Sequence, residues 1–71
     1  MVNRLLLKKT LKEKTGRRDL INLLSEACNV SKPTANNWLT NKTKMPIDAV
    51  ADAQKAFELT DAEIIKIFVR G

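Results

Sequence analysis

Asn29-Val30-Ser31-Lys32-Pro33-Thr34-Ala35-Asn36-Asn37-Trp38 is the stretch on which the reading of this chain turns. Ser31 is a good helix N-cap, because its hydroxyl can accept a hydrogen bond from a backbone N–H left unpaired in the first turn. Pro33 follows just inside the helix start, where a missing N–H costs little. The segment therefore predicts a sharp turn feeding a short helix over residues 32–40. With Ala35 and Trp38 turned inward at a spacing of three, Lys32, Pro33, Thr34, Asn36 and Asn37 remain on its side or tip. Asn and Thr are mediocre helix formers, so helix propensity does not account for such a row. Base edges and phosphates do call for it. An asparagine amide matches the N6/N7 edge of adenine, a lysine the acceptors of guanine, and a threonine a phosphate or a thymine methyl. A plain solvated helix face would carry similar residues, so the flanking sequence has to decide.

Upstream, Leu20, Leu23, Leu24 and Ala27 recur at three and four, which predicts a helix over residues 17–28 with one buried stripe. Before that, Asn3 can cap a helix running to about residue 14, with Leu7 and Leu11 four apart and Leu6 beside them. Gly16 suits its left-handed stop. Downstream, Asn41 tolerates the left-handed conformation and closes the 32–40 helix. Pro46 is placed as the first residue of a fourth helix, with Asp48 and Asp52 favoured near its positive end and Val50, Ala53 and Phe57 facing inward. Thr60-Asp61-Ala62-Glu63 is a capping-box pattern that opens a fifth helix. Runs of alternating β-branched residues are missing, and the connections are short. The expectation is one all-α domain over residues 1–71, a compact five-helix bundle.

Length and charge narrow the function classes. Seventy-one residues sit near the lower limit for a self-supporting core, and 44% hydrophobic content is ordinary for a folded domain. One cysteine, Cys28, in an apolar stretch reads as a small buried hydrophobe and permits no internal disulfide. With no histidine, the usual structural zinc sites are excluded and no metal or cofactor is expected. A reducing, cytoplasmic setting fits, and no apolar run is long enough for a membrane span. Glycine-rich phosphate loops and His-Glu metal motifs are lacking, so no enzyme and no small-molecule ligand is expected. Thirteen basic and eight acidic residues give a net charge of +5. Residues 1–18 carry a net +6 and residues 32–44 a net +3, whereas 19–31 and 45–71 are each −2. Such a bipolar small domain suits a polyanionic partner on one face. The second basic block flanks the polar helix, while the lysines of the first helix read as a mainly solvated face.

Taken together, Leu24-Ser25, Glu26-Ala27-Cys28, Asn29-Val30-Ser31, then Ala35, Trp38 and Pro46 resemble the Cro and lambda-repressor group of helix-turn-helix proteins of phages and bacteria. The resemblance covers about residues 17–69. It departs from the group at Asn29 and Asn41, where glycines are usual, at Ser25 in place of alanine, and at Ile21 in place of a phosphate-holding glutamine. It implies a lambda-repressor-like helix-turn-helix fold and a sequence-specific transcriptional regulator, Cro-like or a repressor, that binds double-stranded DNA. The 32–40 helix would then enter the major groove. Asn37 falls on the group's base-reading position, with Asn36, Lys32 and Pro33 as further base contacts. Ser31, Thr34, Asn41, Lys42 and Lys44 would meet phosphates. Arg17 and Arg18, at an early start of the second helix, would take over the missing glutamine's role.

The fifth helix keeps a rival open. Ile64, Ile65, Ile67, Phe68 and Val69 crowd large apolar groups that one helix face of a small domain cannot all bury. A weak homodimer through Ile64, Ile67 and Phe68 is expected, with Ile65 or Val69 completing the core. The alternative is an antitoxin-like or anti-regulator domain that keeps the fold and binds another protein.

Overall fold

Left-handed residues punctuate the chain. In the computed structural model, which describes residues 1–69, Gly16 (φ 73), Asn29 (φ 53), Asn41 (φ 59) and Glu58 (φ 54) end four successive helices. These are α1 (Arg4–Thr15), α2 (Leu20–Cys28), α3 (Lys32–Leu39) and α4 (Ile47–Phe57). α5 (Asp61–Ile64) then passes directly into one π-helical turn, Ile65–Val69. The described residues contain no strand. Gly16 adopts its φ freely, and asparagine is the next most tolerant residue. At Asn29 the reversal lets the Val30 N–H donate to Ser25 O at 3.0 Å. At Asn41 it lets the Lys42 N–H donate to Asn37 O at 2.9 Å. Carbonyls that the helix end would leave orphaned are thereby satisfied.

The apolar stripes meet in one core. Leu7 and Leu11 of α1, Leu24 of α2, Ala35 and Leu39 of α3, Ala53 of α4 and Ile67 of the π turn are almost wholly inaccessible, and Trp38, Phe57 and Phe68 close around them. α2 packs on both α3 and α4, and α1 lies against α4 and the π turn. Ala35 of α3 and Ala53 of α4 are each 0% exposed, small residues wholly inside the core. Each fully buried leucine is worth roughly 1.5–3 kcal/mol. Cys28 is buried, its thiol donating to Ala49 O at 3.3 Å. Burial, helped by the negative charge of Asp52, pushes its pKa up and keeps the thiol protonated.

The capping box at α5 forms as its sequence pattern implies. The Thr60 N–H donates to Glu63 Oε1 at 2.9 Å, and the Glu63 N–H donates to Thr60 Oγ1 at 3.2 Å. The bond from the Thr60 backbone, aided by Lys14, holds the Glu63 carboxyl below its ordinary range. Lys14 also donates to Glu58 O at 3.3 Å, so the end of α1 is pinned to the α4–α5 joint.

Three boundaries and faces differ from the sequence expectation. α2 begins at Leu20, not at residue 17, because Arg17 and Asp19 form a forked side-chain pair and the Arg17 N–H is drawn to Thr15 Oγ1 at 3.1 Å. Pro46 stands one residue earlier than expected, as the N-cap of α4 rather than its first residue. The fifth helix is the largest correction. Ile67 (0% exposed) and Phe68 (7%) belong to the monomer's own core, with Ile64 packed partly against it, so Ile67 and Phe68 are not free to form a dimer interface. Ile65 and Val69 face outward instead, 43% and 67% exposed. Ile64, Ile67 and Phe68 share one side of the helix at three- and four-residue spacing, and the core takes Ile67 and Phe68 fully and Ile64 in part.

Candidate nucleic-acid interface

The turn before α3 is built on two residues. Asn29 supplies the left-handed reversal and Ser31 the cap, its Oγ accepting the Thr34 N–H at 3.4 Å and pairing with Thr34 Oγ1 at 2.9 Å. Ser31 and Thr34 thus hold each other's hydroxyls at the helix tip, where the positive end of α3 points outward. Ala35, Trp38 and Leu39 are the buried face of this helix. Lys32 and Pro33 are exposed, and Thr34, Asn36 and Asn37 half-buried, on the rest of its circumference. The hydrogen bonds at Asn36 and Asn37 run through their backbone carbonyls, which receive Thr40 Oγ1 and the Lys42 N–H at 2.9 Å each.

Beside this helix lies an open groove of about 560 Å³. α3 contributes Lys32, Pro33 and Asn36, and the first residues of α2 contribute Leu20, Ile21 and Asn22. Arg18 and Asp19 come from the connector, Arg4 and Lys8 from α1. Four cations therefore share the lining with the apolar Leu20, Ile21 and Pro33. The one acid, Asp19, is paired with Arg17, whose guanidinium holds its carboxyl below the usual range. The net potential of the groove is positive.

Of the residues expected to touch DNA, the structure brings Lys32, Pro33, Asn36 and Arg18 to this groove. Asn37 does not line the groove; its backbone carbonyl receives the N–H of Lys42, in the loop that carries the exposed Lys42 and Lys44. Two residues are engaged elsewhere. The Arg17 guanidinium is bonded to Asp19 and lies 3.7 Å from Glu26, so a phosphate would have to compete with two carboxylates for it. Asn41 has both amide atoms committed to the backbone of Val2. Sequence reasoning passed over Arg4 and Lys8, treating α1's bases as a solvated face. The signal was present: residues four apart share a helix side, and both adjoin the buried Leu7–Leu11 stripe rather than oppose it.

No family model matches the chain, and neither curated proteins nor solved structures give a significant match. The interface therefore rests on its own geometry. Among the described residues there is no cluster of metal-ligating side chains, and no helix is long and apolar enough to cross a membrane.

Proposed function

We propose that this chain is a sequence-specific double-stranded DNA-binding regulator, repressor-like, with α3 lying in the major groove. The observation that carries the reading is the groove. Cations from α1, from the connector before α2 and from the tip of α3 gather along one side of the polar face of α3, with Lys42 and Lys44 beyond its other end. A duplex presents the matching layout, base edges in the centre and phosphate rails on both sides. Arg4, Lys8 and Arg18 serve one rail and Lys42 and Lys44 the other, while Asn36, Asn37, Lys32 and Pro33 face the bases. The expected place of action is the cytoplasm of a bacterial cell or phage-infected host.

Selection of bound sequences from a random duplex pool tests the reading directly. On the preferred site, Asn37→Ala is expected to lose about 1–3 kcal/mol and relax the base preference at one position. Competition against random DNA supplies the check. Equal losses on selected and random duplexes would give Asn37 a backbone role and sink its assignment.

A homodimer through the C-terminal helix remains part of the proposal, with its residues changed. Ile65 and Val69 are the exposed apolar pair on that helix, so they replace Ile67 and Phe68 as the shared surface. Two exposed side chains per copy make a small interface, so pairing is expected chiefly on DNA with two half-sites. Sedimentation of the complex should find two copies on a palindromic site, and Val69→Asp should reduce this to one without altering the thermal midpoint. One copy per palindrome in the parent protein would exclude the dimer. The same exposed pair is what favours the second reading, a domain that binds another protein. High salt separates the two, since it weakens phosphate contacts steeply and leaves apolar ones intact.

A further inference from the structure

Asn41 carries more than a helix stop requires. Its left-handed backbone (φ 59) would suit glycine better, yet an amide stands there and both of its polar atoms are used. Oδ1 accepts the Val2 N–H at 2.9 Å, and Nδ2 donates to Val2 O at 3.2 Å. The side chain thus imitates the edge of a peptide strand and grips one residue 39 positions away. That residue is itself fixed: Val2 is 6% exposed, and the neighbouring Asn3 N–H donates to Ile67 O at 2.7 Å. Asn3 in turn caps α1, its Oδ1 accepting the Leu6 N–H at 3.1 Å. Residues 2 and 3 therefore tie together the loop after α3, the C-terminal π turn and the start of α1. A small cleft of about 60 Å³ adjoins the tie, and Val2, Asn41 and Lys44 all line it.

We propose that Asn41 is a positioning residue for DNA: by clamping Val2 it fixes the Lys42–Lys44 loop relative to Arg4 at the start of α1. The inference rests on the DNA reading above, because the two ends it joins are the two sets of phosphate-facing cations. With that separation fixed, both rails of a duplex are met at once; with the loop released, one of its lysines no longer reaches its phosphate. It also explains why the expected phosphate contact at Asn41 is better assigned to the lysines that follow. The asparagine holds the loop, and the loop holds the strand.

Asn41→Gly is the deciding variant, since it keeps the left-handed stop and removes only the clamp. Asn41→Asp keeps the acceptor for the Val2 N–H but sets a carboxylate against Val2 O, and serves as a second variant. In the free protein, amide hydrogen exchange at Val2 and at Lys42 and Thr43 is expected to quicken in both, with the core amides of α2 and α3 unchanged. In Asn41→Gly, which leaves the charge unchanged, affinity for every duplex should fall about tenfold, and the slope of log affinity against log salt should become shallower by about one, the signature of one lost phosphate contact. A merely structural role would lower the thermal midpoint and leave that slope unmoved well below it, which would overturn the proposal. Unchanged exchange at residues 2, 42 and 43 would overturn it too. If the parent chain binds no duplex at all, the DNA reading fails and takes the positioning role with it, while altered exchange would still establish the clamp. The two failures are distinguishable.

Discussion

With Arg4, Lys8 and Arg18 replaced together by Gln, the slope of log affinity against log salt for duplex DNA is expected to flatten by roughly 2.7 units, at about 0.9 per lost phosphate contact. At physiological salt the same contacts correspond to a loss on the order of a hundredfold on selected and random duplexes alike. Folding should survive. All three residues are exposed, and substitutions at such sites usually change stability by no more than about 0.5 kcal/mol. Anisotropy titrations at four or five salt concentrations provide the measurement. A control with equal charge removed elsewhere is Lys9, Lys55 and Lys66, which are exposed and do not line the groove. Its slope should stay close to the parent's, because these three side chains make no phosphate contact in the proposed docking. If the two triple variants lose affinity alike, only net charge matters and the groove has no special part. If neither changes slope, phosphate contacts from α1 and the connector do not exist, and the docking proposed here is wrong.

Most of the fold was legible because its determinants are local. Gly16, Asn29 and Asn41 stop helices through their own φ preferences, Ser31 and Thr60 cap through bonds to residues three positions on, and the stripes of α2 and α4 are visible at spacings of three and four. The all-helical class followed from those signals. So did the burial of Trp38, which its spacing from Ala35 put inside rather than on a base-stacking face.

What remained hidden depends on which face another element covers. The stripe Ile64, Ile67 and Phe68 is correctly a single side of a helix, but periodicity does not say whether a core or a partner chain covers it. Val2, tucked in beside the π turn, is part of the answer. The sequence around Arg17 offered two uses for one guanidinium, a distant phosphate or a carboxylate two residues away, and the nearby carboxylate won. For Asn41 the competing partner was a backbone 39 residues distant, beyond the reach of any local rule. The groove itself is a tertiary object. Its lining comes from α1, the connector, α2 and α3, and only their packing shows that Arg4 and Lys8 share a concavity with Lys32.

Trp38→Ala is expected to destabilise the domain by about 3–5 kcal/mol, the range for removing a large aromatic side chain from a packed interior. Native domains hold only about 5–15 kcal/mol in all, and a chain of this length sits near the bottom of that range. The variant should therefore be largely unfolded or close to it, with the helical far-UV signal lost at low urea. The reason is position. Trp38 is 6% exposed and lies one turn from Ala35, with Leu39 beside it at 1%, so its ring fills the junction of α3 with the core. The competing role for a lone tryptophan on a helix proposed to meet DNA is stacking on a base, and Trp38→Phe separates the two. Phenylalanine keeps most of the apolar area and an aromatic face while leaving a smaller gap, so a partial loss of stability is expected. Duplex affinity per folded molecule, measured below the variant's unfolding midpoint, should be unchanged. A Trp38→Phe protein that folds as well as the parent but binds DNA tenfold more weakly would place the ring at the nucleic acid. The inward face of α3 would then have to be redrawn, along with the assignment of Asn36 and Asn37 to the side that meets the bases.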